Sequence, residues 1–337
     1  MKLCFFVETV YMSQTQDMIA ISKDEFISGA ILPADVFIQL KNKNYILLAR
    51  QGQKFAFEEM HVSEKNEIHN FFIKKEDYKK CVGQHLSIAG VVLSSTKITE
   101  TKKTEFLAKT TETVFKEIDQ IGFSHESLEH AKNISQNISK LVENKTDIFQ
   151  VVEILSNISN EIVRHSMAVS IISIILTKEL GWKLPSNIEK IALGGLLHDV
   201  GLKEIPIEIV NKPRHLLTFE ERQIYETHTY RGAEILRSMP SIPDDIISIA
   251  YEHHENAIGQ GYPRKLKDFK LNPLGRVVAL ADAFTELTLS DVNNPHPKTA
   301  AEAIEYLEVT MGQPYNKATF LALKHAILKN QKNKNAA

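Results

Sequence analysis

The chain has 337 residues, of which 43% are hydrophobic and 24% are charged, so it is long enough for two domains with packed cores. Its formal net charge of −2 lacks the basic excess of proteins that bind duplex nucleic acid. The two cysteines, Cys4 and Cys81, exclude a disulfide framework, and Glu8 interrupts the first apolar run before it reaches the length of a signal peptide or a membrane span. A cytoplasmic protein is therefore expected.

Strand signals dominate residues 1–95, which we interpret as a small mixed, strand-rich N-terminal domain. Two apolar runs at residues 31–40 and 45–50 flank a polar turn, which is the pattern of a β-hairpin. Residues 69–73 and 88–93 are further predicted strands because they are short and rich in aromatic or β-branched side chains. This part of the sequence offers no candidate catalytic residue.

Helical periodicity begins near residue 96 and continues to about residue 330. Residues 96–146 are predicted to be a helical connector, which either packs on the flanking domains or pairs with a second copy in a homodimer. Residues 147–330 are predicted to be an all-α bundle, in which Thr218 and Glu221 have the spacing of a capping box. Residues 331–337 are predicted to be a disordered tail. The predicted fold class is α+β.

Eight potential metal ligands recur through the predicted bundle at helix-sized intervals. They are Glu161, His165, His198, Asp199, His228, His253, His254 and Asp282. This number of nitrogen and oxygen ligands exceeds what one tetrahedral zinc takes, and it suits two metals that share a ligand. Since Asp199 follows a very apolar helix and Asp282 lies inside another, both carboxylates need a cation or several donors when buried. Taken one at a time, these residues also have ordinary interpretations, such as a surface pair for Glu161 and His165.

The order and spacing of these residues resemble the HD-GYP family of the HD hydrolase superfamily, over about residues 150–325. The positions that carry the resemblance are Glu161-x3-His165, His198-Asp199-Val200-Gly201 with Ile205-Pro206, Lys212-Pro213, His228-x3-Gly232, His253-His254-Glu255 with Gly259-x-Gly261-Tyr262-Pro263, and Arg276 with Asp282. The resemblance implies an HD-type helical fold, a centre of two or three metals and hydrolysis of cyclic-di-GMP in bacterial second-messenger signalling.

The same resemblance implies a role for each matching position. The eight potential ligands would be the metal residues, with Asp199 as the carboxylate that bridges two metals. Asp199 and His198 are predicted to be catalytic, together with Lys203 a few residues further on. The predicted contacts to a cyclic dinucleotide substrate, or to a protein partner, are Gly259, Gly261, Tyr262, Pro263 and Arg276.

The expected reaction is the attack of a metal-bridging hydroxide on phosphorus, in line with the 3′ leaving oxygen. This reaction would release linear pGpG first and GMP after a second cleavage. Mixed histidine and carboxylate ligation favours iron or manganese, with zinc or nickel as the second choice.

Four positions depart from the family pattern. Leu202 stands where the family has a lysine that faces the phosphate, and losing such a cation costs about 2–4 kcal/mol of transition-state stabilisation. Ile258 and Thr285 stand where the family has acidic residues, and because the residue at the position of Thr285 helps to build a third metal position in some members, we expect two metals here. Asp291 stands where the family has an arginine that binds the dinucleotide.

These departures keep two alternatives open. One is a catalytically weak or inactive module that binds a nucleotide or a protein partner, which the substitutions at Leu202 and Asp291 favour. The other is a phosphohydrolase that acts on another nucleotide.

Overall fold

Four short strands form an antiparallel sheet near the beginning of the chain. The computed structural model describes residues 18–22, 25–27, 29–40, 43–54, 71–143 and 153–334. The strands are β1 (Met18–Ile21), β2 (Val36–Gln39), β3 (Tyr45–Ala49) and β4 (Phe71–Lys74), in the spatial order β1-β4-β2-β3. Burial alternates along β3, because one face of the sheet packs on the main core and the other forms a small separate cluster.

The predicted hairpin is confirmed, since β2 and β3 pair in antiparallel register from Val36 opposite Ala49 to Gln39 opposite Tyr45. Of the predicted strand at residues 69–73, residues 69 and 70 lie outside the described residues, and the remainder begins β4. The strand predicted at residues 88–93 is wrong. These residues end helix α1 (Tyr78–Ser94), whose buried positions recur at three- and four-residue steps that the short window did not include.

Two helices occupy the predicted connector, α2 (Glu100–Gln120) and α3 (His125–Leu141). Ser124 caps α3 in a reciprocal capping box with Ser127. Both helices pack on α1 on one side and on the bundle on the other, so the apolar core runs without a break from the sheet to the bundle. The domain boundaries proposed from the sequence stay a prediction.

Helices build the remainder of the described chain. They are α4 (Glu161–Glu179), α5 (Pro185–Leu197), α6 (Ile207–Val210), α7 (Phe219–Glu226), α8 (His228–Arg237), α9 (Asp244–Glu252), α10 (Pro273–Thr288), α11 (Ala300–Glu305) and α12 (Lys317–Lys334). A 3₁₀ turn, Val200–Glu204, follows α5 and packs on α8. The α+β class predicted from the sequence is therefore confirmed.

Local signals explain where several of these helices begin. Asn160 caps α4 by accepting from the backbone N–H of Val163 at 3.1 Å. The predicted capping box of Thr218 and Glu221 opens α7.

At the other end of the bundle α12 runs to Lys334, so residues 331–334 continue a helix where a disordered tail was predicted. Among the described residues, no helix combines the length and the apolarity needed to cross a membrane.

Candidate metal centre

Five helices and the segments that follow them bring seven of the eight predicted metal residues together. The side chains form two groups, in each of which the ligand atoms lie within 4.8 Å of one another. The first group is Asp199, His228, His253 and His254, and the second is His165, His198 and Asp282. Sequence spacing alone predicted the members, and the packing of α4, α5, α8, α9 and α10 sets their grouping.

Asp199 joins the two groups through its two carboxylate oxygens. Its Oδ1 lies 3.3 Å from Nε2 of both His228 and His253, in the first group. Its Oδ2 lies 3.3 Å from Nε2 of His198 and 3.8 Å from Nε2 of His165, in the second. One carboxylate is therefore placed to give one oxygen to each of two cations.

Asp282 makes a second connection between the groups. Its Oδ1 lies 3.1 Å from Nε2 of His165, whereas its Oδ2 lies 3.5 Å from Nδ1 of His254. Both Asp282 and His198 are almost fully buried, so the centre lies inside the bundle.

Backbone carbonyls fix the orientation of three histidine rings. In each case Nδ1 lies within hydrogen-bond distance of the carbonyl oxygen three residues earlier: 2.8 Å for His198, 2.7 Å for His228 and 2.9 Å for His253. A carbonyl only accepts, so we assign the ring proton to Nδ1 in each. Nε2 then carries a lone pair that faces the centre, which is the arrangement of metal-binding histidines.

This donor set fits cations better than it fits an empty polar core. Nε2 of His228 and Nε2 of His253 are 3.2 Å apart, although neither carries a proton in the tautomers assigned above. The buried Oδ1 of Asp199 has no hydrogen-bond partner among the described residues. Two lone pairs and an unpaired carboxylate oxygen repel one another in a buried site, and a divalent cation removes that cost.

In the metal-free protein, bound protons relieve part of this repulsion. Burial lowers the pKa of His198, but the carboxylates of Asp199 and Asp282 and the carbonyl of Gly195 together outweigh burial and raise that pKa to about 9. Burial likewise raises the pKa of Asp199, and His198 with the other histidines holds it well below its usual value. Cations and protons therefore compete for the same nitrogen and oxygen atoms.

The loop of residues 259–266, which we call the tyrosine loop, covers one side of the centre. The ring of Tyr262 lies 4.6 Å from the ring of His254, and the Tyr262 N–H donates to the His254 carbonyl at 3.1 Å. Gly261 permits this approach, because a Cβ at this position would lie 2.2 Å from the same carbonyl oxygen. Glu255 accepts from the N–H groups of Arg264 at 2.6 Å and Leu266 at 2.9 Å, which fixes the end of the loop.

Three predicted site residues lie outside both the two groups and the tyrosine loop. Glu161 is exposed at the first position of α4. Lys203 donates from Nζ to the carbonyl of Ile118 in the last turn of α2, at 3.1 Å. Arg276 donates to the carbonyl of Leu271 at 3.1 Å and lies 3.5 Å from Asp268, so it holds the segment before α10. Gly259, with a φ of 77°, and Pro263 belong to the tyrosine loop.

The sequence analysis missed three residues beside the centre: Arg214, Tyr225 and Glu286. Arg214 forms an ion pair with Glu286, and its guanidinium carbon lies 5.6 Å from the centroid of the Tyr225 ring. The available signal was the position of Glu286 one helical turn after Asp282, which places both carboxylates on one face of α10. The contact to Arg214 has no such local signal.

A cavity of about 540 Å³ opens beside Asp199, between the bundle and α2. Leu202 and Ile162 from the bundle and Phe115 from α2 give it apolar walls, and Lys203 also lines it. The connector helix is therefore part of the surroundings of the centre. Leu202, which replaces the family lysine, contributes apolar surface here.

The model of a known protein family matches residues 150–318, half of the chain, and its description is HD domain. The chain belongs to the HD domain family. Within the HD domain lie both groups of potential metal ligands and the tyrosine loop.

Proteins with assigned activities resemble part of the chain in sequence. A protein of Thermotoga maritima named cyclic di-GMP phosphodiesterase is 36% identical over 174 residues, which are 50% of this chain and 46% of the relative. Cyclic di-GMP phosphodiesterase PA4108 of Pseudomonas aeruginosa is 32% identical over 178 residues, 52% of this chain and 42% of the relative. A 3′3′-cGAMP-specific phosphodiesterase 1 of Vibrio cholerae is 30% identical over 146 residues, 42% of this chain and 33% of the relative. The chain thus spans less than half the length of these relatives.

One solved structure shares the whole architecture. Bd1817, described as an HDG"Y"P protein from Bdellovibrio bacteriovorus, superposes with a TM-score of 0.67 over 93% of this chain and 100% of its own. The two sequences are 21% identical, so this similarity shows the fold alone.

Proposed function

We propose that this HD-domain protein is a metal-dependent phosphodiesterase that hydrolyses cyclic-di-GMP to pGpG and GMP in bacterial second-messenger signalling. The position of Asp199 carries the proposal, because each of its oxygens faces a different group of histidines. The names of the relatives from Thermotoga maritima and Pseudomonas aeruginosa support the substrate.

The residues of the centre would hold two divalent cations, Asp199 with the first group and Asp282 with the second. Bound there, the cations supply a water of lowered pKa and positive charge for the phosphate oxygens. The mixture of imidazole and carboxylate donors favours iron or manganese, with zinc or nickel as alternatives. We propose Asp199 and His198 as the residues that act nearest the reacting phosphate.

The cavity and the tyrosine loop would contact different parts of the substrate. The apolar cavity next to Asp199 has room for a purine base, whose faces suit the walls formed by Leu202 and Phe115. The ring of Tyr262 excludes water from the opposite side. Because Phe115 belongs to α2, a movement of the connector changes the shape of this cavity. In this way the N-terminal domain can influence the active site.

A second candidate substrate is 3′3′-cGAMP. Relatives of Vibrio cholerae with that specificity in their names are 30% and 40% identical to parts of the HD domain. The two dinucleotides differ in one purine base, so the same centre serves either and the cavity decides between them.

Hydrolysis of cyclic-di-GMP by anaerobically purified protein, with bound metal quantified in the same sample, tests the proposal. We expect about two metals per chain and formation of pGpG. Asp199→Ala should lose bound metal and at least roughly 100-fold of the turnover, because it removes the oxygen atoms that both groups share.

Asp244→Ala is the matched control, because it removes an exposed carboxylate from the start of α9. If iron- and manganese-loaded protein holds two metals but hydrolyses neither dinucleotide, the protein is a module that only binds a ligand, and not an enzyme. Turnover that Asp199→Ala leaves intact would remove the centre from the reaction.

A further inference from the structure

Arg214 lies between the two halves of the metal centre. It follows Lys212-Pro213 and begins a short 3₁₀ turn, Arg214–Leu216. Its guanidinium forms an ion pair with Glu286, which lies one helical turn beyond Asp282 on α10. On its other side it lies 5.6 Å from the ring of Tyr225, and that ring lies 5.1 Å from the ring of His228.

The guanidinium keeps donors that the protein does not use. One Nη atom binds Glu286, while the buried Nε has no hydrogen-bond partner among the described residues. The Arg214 side chain is 33% exposed, so a ligand can reach it. An arginine held by one carboxylate, with further N–H groups open toward a site, can bind a phosphate with two parallel hydrogen bonds.

A loop and helix α7 hold the backbone of Arg214 in place. Its N–H donates to Oδ1 of Asn293 at 2.8 Å, and its carbonyl accepts from Arg222 at 3.3 Å. In the loop of Asn293, the Asp291 carboxylate accepts from the N–H groups of Asn293 and Asn294, both at 2.7 Å. The side chain of Asp291 therefore stabilises the turn of its own loop. That turn contains Asn293, which positions Arg214.

We infer that Arg214 is a substrate-binding residue whose guanidinium binds a phosphate of the substrate. This inference rests on the proposed phosphodiesterase function. Arg214 brings a cation next to Glu286, one helical turn from Asp282, and next to Tyr225, whose ring lies against His228.

The test compares four variants of the full-length, manganese-loaded protein. Arg214→Gln removes the charge, and Arg214→Lys keeps a charge but not the fork of donors. Glu286→Gln releases the guanidinium, and the double variant Arg214→Gln/Glu286→Gln removes both charges of the ion pair. Arg237→Gln is the control, because it removes an exposed arginine from the far end of α8, the helix that begins with His228.

We expect Arg214→Gln to raise KM for cyclic-di-GMP by about 10-fold to 100-fold, which corresponds to a lost hydrogen bond to a charged group. Arg214→Lys should lie between it and the wild type. Glu286→Gln should bind at least as tightly as the wild type. All variants should keep the metal content of the wild type, since neither Arg214 nor Glu286 belongs to the two groups.

The double variant separates binding from a purely structural role. If Arg214 only neutralises Glu286, removing both charges restores the wild-type KM, and the inference is wrong. If Arg214 binds the phosphate, the double variant stays as weak as Arg214→Gln. An unchanged KM in Arg214→Gln also contradicts the inference.

A second substrate, bis(p-nitrophenyl) phosphate, distinguishes this inference from the proposed function. Turnover of this diester without turnover of cyclic-di-GMP would reject the proposed substrate, and the KM for the diester would then test Arg214. Turnover of neither by the wild type would reject both proposals.

Discussion

At the scale of single residues, the centre depends on which nitrogen of each histidine faces inward. His198, His228 and His253 each contact a carbonyl one helical turn earlier through Nδ1, so the helical backbone itself selects Nε2 as the metal-facing atom. A sequence lists the histidines but not their ring orientation. Each of these histidines lies at the beginning or end of a helix, where its ring turns back onto the preceding turn of the chain.

His85 is a buried histidine that serves the N-terminal domain instead of the metal centre. Its Nε2 lies 2.7 Å from the carbonyl oxygen of Glu25, and its ring stacks on Phe106 at 6.2 Å. The buried Nδ1 has no partner among the described residues. Burial lowers the pKa of His85, and it outweighs the hydrogen bond to Glu25.

The lowered pKa of His85 predicts a pH dependence of stability. The unfolded chain binds a proton at a pKa of about 6.5, whereas the folded protein resists it until a lower pH. The stabilisation by neutral His85 is therefore complete above about pH 6.5 and is lost as the pH falls below it. We expect His85→Gln to flatten the fall in the urea midpoint between about pH 7 and pH 5.

The candidate metal centre contains five further histidines, so the measurement uses the difference between the variant and the wild type, both metal-loaded. His325→Gln, which changes an exposed histidine on α12, should keep the wild-type slope. Parallel curves for His85→Gln and the wild type would show that the proton on His85 does not matter for folding.

At the scale of elements, the turn after α5 determines how Asp199 meets His228. Gly201 in the turn Val200–Glu204 lies directly against α8, where a Cβ would be 2.0 Å from the His228 carbonyl and 2.5 Å from the Gly232 nitrogen. Gly201→Ala should separate the turn from α8. We expect a loss of about 2–3 kcal/mol in the free energy of unfolding, with a lower metal content.

Gly83→Ala is the control for Gly201→Ala. Gly83 lies exposed inside α1, and a Cβ there would meet nothing within 4 Å. Alanine in an exposed helix interior should stabilise by about 0.5–1 kcal/mol. Urea denaturation and metal analysis of both variants give the comparison, and equal effects at the two positions would show that the close approach at Gly201 is unimportant.

The elements also show what the sequence could predict. Periodicity located the helices of the bundle, and the apolar side chains that recur along α3, such as Leu128 and Ile134, are buried on one face of that helix. The error at residues 88–93 came from a window shorter than the helix that contains it. The spacing of histidines and carboxylates predicted the members of the centre. It could not predict the ion pair of Arg214 with Glu286, which depends on how two distant segments pack.

At the scale of the whole molecule, α2 and α3 are part of the core and not a spacer. Lys116 of α2 donates to the Ala20 carbonyl of β1 at 2.8 Å, and Lys203 donates across to the Ile118 carbonyl of the same helix at 3.1 Å. Buried residues of α3 such as Leu128 and Ile138 belong to the same core as those of α1 and α5. The sheet, the connector and the HD domain should therefore unfold together.

Two local probes test this cooperativity. Trp182, the single tryptophan of the chain, packs on the core between α4 and α5. Cys81 is buried in α1, and burial raises the pKa of its thiol to about 12, so it should react slowly with thiol reagents in the folded protein. In a Cys4→Ser variant, Cys81 is the only thiol.

We expect the fluorescence of Trp182 and the reactivity of Cys81 to report the same urea midpoint, because coincident transitions are the mark of a two-state unit. Chelation of the metals should shift both midpoints down by the same amount, since cations that bind only the folded state stabilise everything that folds with the HD domain. Earlier exposure of Cys81, with Trp182 still native, would mean that the N-terminal part unfolds independently. In that case α2 would be able to separate from the HD domain. A signal would then reach the centre through this separation, and not through a movement of α2 within the cavity beside Asp199.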